Sequence, residues 1–215
     1  MTLKDPHHLR EEIANSLTHG LGAGLAIAGV SVLLTLASLR GDAYQIISIA
    51  IYGATLILLY LISTFYHSFH SPRIKEFFRL ADHSAIYLLI AGSYTPFALI
   101  SLRGGIGWTV FGVVWGLALL GVIFKFFFRF RYHFLATGLY IFMGWMALLI
   151  LNPLLEVLPF WCVVLLFASG ISYTLGMVFY AWNRLPYNHA IWHAFVVLGS
   201  ICHYFAVFYE VLPKS

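Results

Sequence analysis

Tyr44-Gln-Ile-Ile-Ser-Ile-Ala-Ile-Tyr-Gly-Ala-Thr-Leu-Ile-Leu-Leu-Tyr-Leu-Ile-Ser-Thr-Phe-Tyr-His67 runs without a single Asp, Glu, Lys or Arg. A helix crossing the roughly 30 Å hydrocarbon core needs about 20 such residues. The run is continuous rather than alternating, which fits a membrane helix and not a barrel strand. Similar runs lie on either side, near residues 17–39, 80–101, 107–126, 133–151, 158–181 and 189–211. Turn signals separate them: Arg40-Gly41-Asp42, Ser71-Pro72-Arg73, Arg103-Gly104-Gly105, Arg129-Phe130-Arg131, Asn152-Pro153 and Asn183-Arg184-Leu185-Pro186. The reading is an all-α integral membrane protein, a bundle of seven transmembrane helices.

Composition agrees. Of 215 residues, 61% are hydrophobic and 9% charged, and the mean hydropathy is +0.89. A soluble domain has roughly 25% charged residues. The expected organisation is a short polar N-terminal segment (1–16), a seven-helix domain (17–211) and a short tail (212–215), with no separate soluble domain. The first apolar run has no small-residue cleavage site and reads as a retained span. The net charge of +4 is scattered over short inter-helix segments, so there is no basic stripe for nucleic acid. Cys162 and Cys202 sit inside apolar runs and read as small hydrophobes rather than a disulfide.

With seven spans, the basic residues vote on orientation. Lys4, Arg10, Arg73, Lys75, Arg79, Lys125, Arg129, Arg131 and Arg184 fall on one side; Arg40, Arg103 and Lys214 fall on the other. This nine-to-three bias places the N-terminus in the cytoplasm and the C-terminus outside. In the first span, Gly20, Gly22, Gly24 and Gly29 predict close helix packing, with Gly20-xxx-Gly24 fitting that role, and Pro96 predicts a kink in the third.

Ionisable groups inside a span are costly and therefore candidates for function. His67 ends span 2, Asp82 begins span 3, and His189 and His193 begin span 7, so all four sit near the same, cytoplasmic, boundary. His189 and His193 are i,i+4 and share a helix face; Ser63 and His67 have the same spacing. A His pair plus a third His from a neighbouring helix supplies three nitrogens, the set of a catalytic zinc site with its fourth position open. Imidazole also suits nickel and iron. Asp82 could orient or deprotonate a water in the open position. Glu12, Asn15 and His19 fall on one face of span 1 at the same boundary and could support the ligands or form a hydrogen-bond lock. His7, His8, His70 and His133 fall in loops or at span ends and read as solvated; His83 and His203 read as hydrogen-bonding groups rather than ligands.

The run Glu12-Ile-Ala-Asn15-Ser-Leu-Thr18-His19-Gly20 resembles the start of hemolysin III-type membrane proteins. So do Ser63-Thr-Phe-Tyr-His67, Ala81-Asp82-His83-Ser84-Ala-Ile-Tyr87 and Asn188-His189-Ala-Ile-Trp192-His193-Ala-Phe195. These bacterial proteins are similar to the progestin and adiponectin receptor family, and more distantly to alkaline ceramidases. The resemblance covers nearly the whole chain. It implies seven helices with the N-terminus inside and zinc held by His67, His189 and His193. Asp82 would hold the water on the zinc, with Ser63 nearby. It also implies a place in the plasma membrane (the inner membrane), membrane lipids as partners, and hydrolysis of a lipid amide. The long N-terminal extension of the adiponectin receptors is missing, which argues against a hormone ligand.

Three functions of different class follow. The first is a zinc-dependent hydrolase of a lipid amide or ester, with Asp82 as general base. The second is a pore, which wants a polar stripe through the whole membrane; the outer halves of the spans read as almost wholly apolar. The third is a receptor-like regulator with a structural zinc. A retinal pump is disfavoured because span 7 contains no Lys.

Overall fold

The computed structural model describes residues 6–129 and 131–211. Lys4, Lys214, Phe130, the tail at 212–215 and the side chain of His133 lie outside the described residues. The chain forms α1 (Pro6–Arg40), α2 (Ala43–Ser68), α3 (Pro72–Pro96), a π turn (Phe97–Ser101) and α4 (Gly105–Phe128). It continues through α5 (His133–Trp145), a 3-10 turn (Met146–Ile150), α6 (Leu151–Val157), α7 (Phe160–Ala181) and α8 (Asn188–Val211). With α5, the 3-10 turn and α6 taken together as one crossing, seven helical segments are long and apolar enough to span a membrane. The described residues contain no strand.

Local chemistry sets the ends. Asp42 caps α2 reciprocally: its Oδ1 accepts from Gln45 N at 3.0 Å, and Gln45 Oε1 accepts from the Asp42 N–H at 3.0 Å. Pro72 opens α3, where its missing N–H costs nothing. Gly104 has φ +124°, a conformation reserved for glycine, and precedes α4. Helix geometry passes from α to π directly after Pro96, which is how the third span accommodates the expected proline break.

Several expectations need correction. The helix expected from residue 17 begins at Pro6, and the one expected from residue 80 begins at Pro72. Hydropathy marks only the lipid-immersed part, while the helices continue into the polar boundary. His7 and His8 therefore lie on the first turns of α1 rather than in a loop; His7 is exposed and His8 half-buried. Asn152-Pro153 is not a break. Pro153 sits in the first turn of α6, where proline is tolerated, and the chain turns instead at Leu158-Pro159.

The Gly20-xxx-Gly24 pair is not the packing device either. A Cβ at Gly24 would meet nothing within 4 Å, whereas one at Gly22 would come within 2.6 Å of the Tyr60 ring and one at Gly29 within 2.8 Å of the Tyr204 ring. Those two glycines let α1 approach α2 and α8. Together with Ala26, Val30, Leu33 and Ala37 they form the inward face of α1, packed on Tyr52, Leu56, Leu59, Ala206 and Val207.

Around the bundle, α2 packs between α1 and α3, α4 lies on α3, and α8 packs between α1 and α7. The α5–α6 crossing closes the ring more lightly against α3, α4 and α7. One end of the bundle gathers the start of α1, the end of α2, the starts of α3 and α8, and the ends of α4 and α7. Glu12 pairs there with Lys75, and Glu76 with Arg129. The opposite end is tied by Arg103 Nη1 to Asp42 Oδ2 at 2.6 Å and Gln45 Nε2 to the Glu210 carbonyl at 2.8 Å.

Candidate metal centre

The segment before α8 is held in a strained shape. Tyr187 has φ +58°, uncommon for a residue with a side chain. Its N–H donates to Glu11 Oε1 on α1 at 2.9 Å, and Asn188 Nδ2 donates to the Tyr180 carbonyl at 3.1 Å. These bonds fix where α8 starts, and with it the first two turns that bear His189 and His193.

His67, at the end of α2, points to the same place. One ring nitrogen from each of His67, His189 and His193 lies within 4.8 Å of the others, a group able to hold a metal ion. The His67 ring centroid is 5.0 Å from that of His189 and 5.1 Å from that of His193, and His189 and His193 are 4.6 Å apart.

Hydrogen bonding says which nitrogens remain. His193 Nδ1 lies 3.3 Å from the Asn15 carbonyl, an acceptor, so Nδ1 bears the proton. His67 Nδ1 lies 3.4 Å from Glu12 Oε1 and 3.5 Å from Asn15 Nδ2; the carboxylate favours a proton there too. Both tautomers leave the lone pair on Nε2, and Nε2 of His67, His189 and His193 is in each case buried without a hydrogen-bond partner. Buried polar atoms are almost always satisfied. Three unsatisfied imidazole nitrogens at one point, two of them backed by an acceptor on the other nitrogen, are the arrangement of metal ligands. Glu12 and Asn15 thus contact His67 and His193 directly, and His19 stacks on His193 with 3.5 Å between centroids.

Asp82 is buried on α3. Ser63 lies beside it, near enough to influence its carboxylate, but Ser63 Oγ meets no partner at hydrogen-bonding geometry. Asp82 and His19 line a cavity of about 220 Å³ that follows α3 past Ile86, Ile90 and Tyr94 to Ala98, with walls from α5, α7 and α8. The three ligand histidines do not line it. His19 links the two, since it faces the cavity and stacks on His193.

His83 and His203 hydrogen-bond, as their positions suggest. His83 Nδ1 is 2.9 Å from the Arg79 carbonyl, and His203 Nε2 is 3.1 Å from the Ser93 carbonyl. Neither belongs to the three-histidine group. Lys125, which the sequence places among the boundary cations, is fully buried at the end of α4. The expectation that the far halves of the spans are almost wholly apolar is wrong. Ser48, His203 and Glu210 are buried there, and a seven-residue spacing along α8 (His203, Glu210) is what could have revealed them.

Comparison with known proteins agrees with this geometry. The family model described as "Haemolysin-III related" matches residues 7–204. The chain is similar to "Hemolysin-3" of Bacillus cereus, 48% identical over 207 residues, covering 96% of this chain and 94% of the relative. It is 44% identical over 201 residues to "Hemolysin-3 homolog" of Bacillus subtilis (strain 168), with 94% of each covered. It is also 29% identical over 208 residues to the "Monocyte to macrophage differentiation factor" of Homo sapiens, covering 92% and 83%. The chain is an integral, multi-pass membrane protein, and it belongs to the haemolysin-III-related family.

Proposed function

We propose that this protein is a zinc-dependent hydrolase of a lipid-borne amide or ester, placed in the plasma membrane with the start of α1 in the cytoplasm. The observation that supports it most is the convergence of three buried, unpartnered imidazole nitrogens beside a cavity lined by Asp82. Three histidine ligands with an open fourth position suit zinc in a catalytic role. When bound, zinc would polarise a carbonyl and lower the pKa of a water toward about 7.

The chain's own residues supply the rest. His67, His189 and His193 would hold the ion, and Glu12 and Asn15 keep two of them in the tautomer with the lone pair on Nε2. The Asp82 carboxylate accepts the proton of the attacking water and returns it to the leaving amine or alcohol. Ser63 lies beside that carboxylate. The apolar cavity takes a hydrocarbon tail and keeps bulk water from the reacting carbonyl, while the head group stays at the membrane boundary. The basic bias of the loops assigns that boundary to the cytoplasm.

The test is a comparison of chelator-stripped and zinc-reloaded protein, purified in detergent, on a panel of amide- and ester-linked lipids. Fatty-acid release that vanishes on stripping and returns with zinc is the expected result. No release from any panel member by fully zinc-loaded protein would reject the reading.

A further inference from the structure

Hydroxyls within these helices mostly donate to the carbonyl one turn back. Ser31 donates to Ile27, Thr35 to Ser31, Thr64 to Tyr60, Ser84 to Leu80 and Thr95 to Ala91. Ser48 and Tyr52 on α2 do not. Both are buried, and neither oxygen has a hydrogen-bond partner. An unpaired hydroxyl in a low-dielectric interior costs about 1–3 kcal/mol, so two of them one turn apart call for a physical reason.

Their neighbours on α8 supply one. Towards the end of α8 lies Glu210, buried, with Oε2 accepting from Ser101 Oγ at 2.5 Å. Gln45, on the same face of α2 as Ser48 and Tyr52, donates to the Glu210 carbonyl at 2.8 Å. Asp42 and Arg103, paired with each other at 2.6 Å, are the charged groups around this entrance. At the other side of Tyr52 lies His203, with 5.6 Å between ring centroids. His203 is buried among Ser93, Ser169, Tyr52 and Phe97 and lines the cavity that reaches Asp82. From His203 to Glu210 is two helical turns, about 10 Å, so the polar line crosses about a third of the hydrocarbon core. Chains of acidic, imidazole and hydroxyl groups inside a membrane bundle are the material of proton relays.

We propose that the far half of the bundle is the outer part of a proton path across it, in which Glu210, Ser48, Tyr52 and His203 pass protons, by way of intervening water, between the membrane face where α8 ends and the cavity at Asp82, which carries them on to the opposite face. In each transfer an O–H or N–H bond breaks as another forms: each hydroxyl accepts a proton from a bridging water on a lone pair while giving up its own to the next. Nothing is oxidised or reduced, and the net event is one proton moved. The path stands independently of the hydrolase reading and needs no metal.

The experiment uses the full-length protein in phosphatidylcholine–phosphatidylglycerol vesicles loaded with potassium and a pH-sensitive dye. Dilution into low potassium with valinomycin makes the interior negative and draws protons inward. Wild-type vesicles should acidify faster than protein-free ones. Tyr52→Phe keeps the ring, removes only an unpartnered hydroxyl, and should unfold at the wild-type temperature while its acidification falls to the protein-free rate. Glu210→Gln should do the same to the flux. A wild-type rate equal to that of protein-free vesicles, or a Tyr52→Phe rate equal to wild type, would overturn the proposal.

Discussion

The imidazole of His19 lies flat against that of His193, with 3.5 Å between centroids and 15° between planes, although neither His19 nitrogen has a hydrogen-bond partner. His19 lies outside the three-histidine group able to hold a metal ion; it is a wall that holds the His193 ring in place by packing. His19→Ala should lower metal affinity by about 10–100-fold, the usual cost of losing a group that orients a ligand. His19→Phe should recover most of it. Competition titration against a chelator of known affinity measures both, and an unchanged affinity in His19→Ala would refute the wall.

A metal ion held by His67, His189 and His193 would tie α2 to α8. His67→Ala, His189→Ala and His193→Ala should each lower bound zinc and thermal stability together, because metal-binding energy is also folding energy. Elemental analysis and thermal unfolding on the same preparations check this. A His189→Ala/His193→Ala double variant that keeps full metal content would remove the site.

At the other end, Asp42 gives a pH dependence. Its hydrogen bond from Gln45 N and its contact with the Arg103 guanidinium hold its carboxyl below the usual range. A lowered folded-state pKa means stability that is complete above the unfolded value, about 3.9, and lost as pH falls through the folded one. Asp42→Ala should therefore cost about 1 kcal/mol as a lost cap at neutral pH. The difference from wild type should shrink in thermal melts below about pH 4. A difference that persists undiminished in acid would contradict the assignment.

Orientation follows from the loops. A reporter fused after Ser215 should be active only if it needs the exterior, from the nine-to-three basic bias. Activity restricted to a cytoplasmic reporter would invert the topology.

The seven crossings were legible because the bilayer demands long apolar runs, and the stretch from Tyr44 to His67 meets that demand without help from tertiary structure. His67, His189 and His193 were legible because i,i+4 spacing and a shared boundary are properties of the linear chain. Which glycines of α1 face inward was not, since that depends on how the helix is rotated against Tyr60 and Tyr204. The continuation of helix through Pro153 was hidden because a proline in a first turn and a proline in a loop look alike in one dimension. Glu12 was legible as a support for the ligands from its face on the first span, but its pairing with Lys75, 63 residues away, is encoded by no local pattern. The polar line from Glu210 to His203 was diluted by the six apolar or aromatic residues between them.

Asp82 separates catalytic from structural zinc, and the most direct measurement is zinc content and lipid-amide hydrolysis side by side in wild type and Asp82→Asn. Asn keeps the shape and any helix-capping role of the carboxylate but cannot take a proton. The expected result is about one zinc per chain in both proteins, with hydrolysis in the variant lower by roughly 10²–10⁴-fold. Hydrolysis by Asp82→Asn at the wild-type rate, with zinc content equal in the two proteins, would contradict the mechanism.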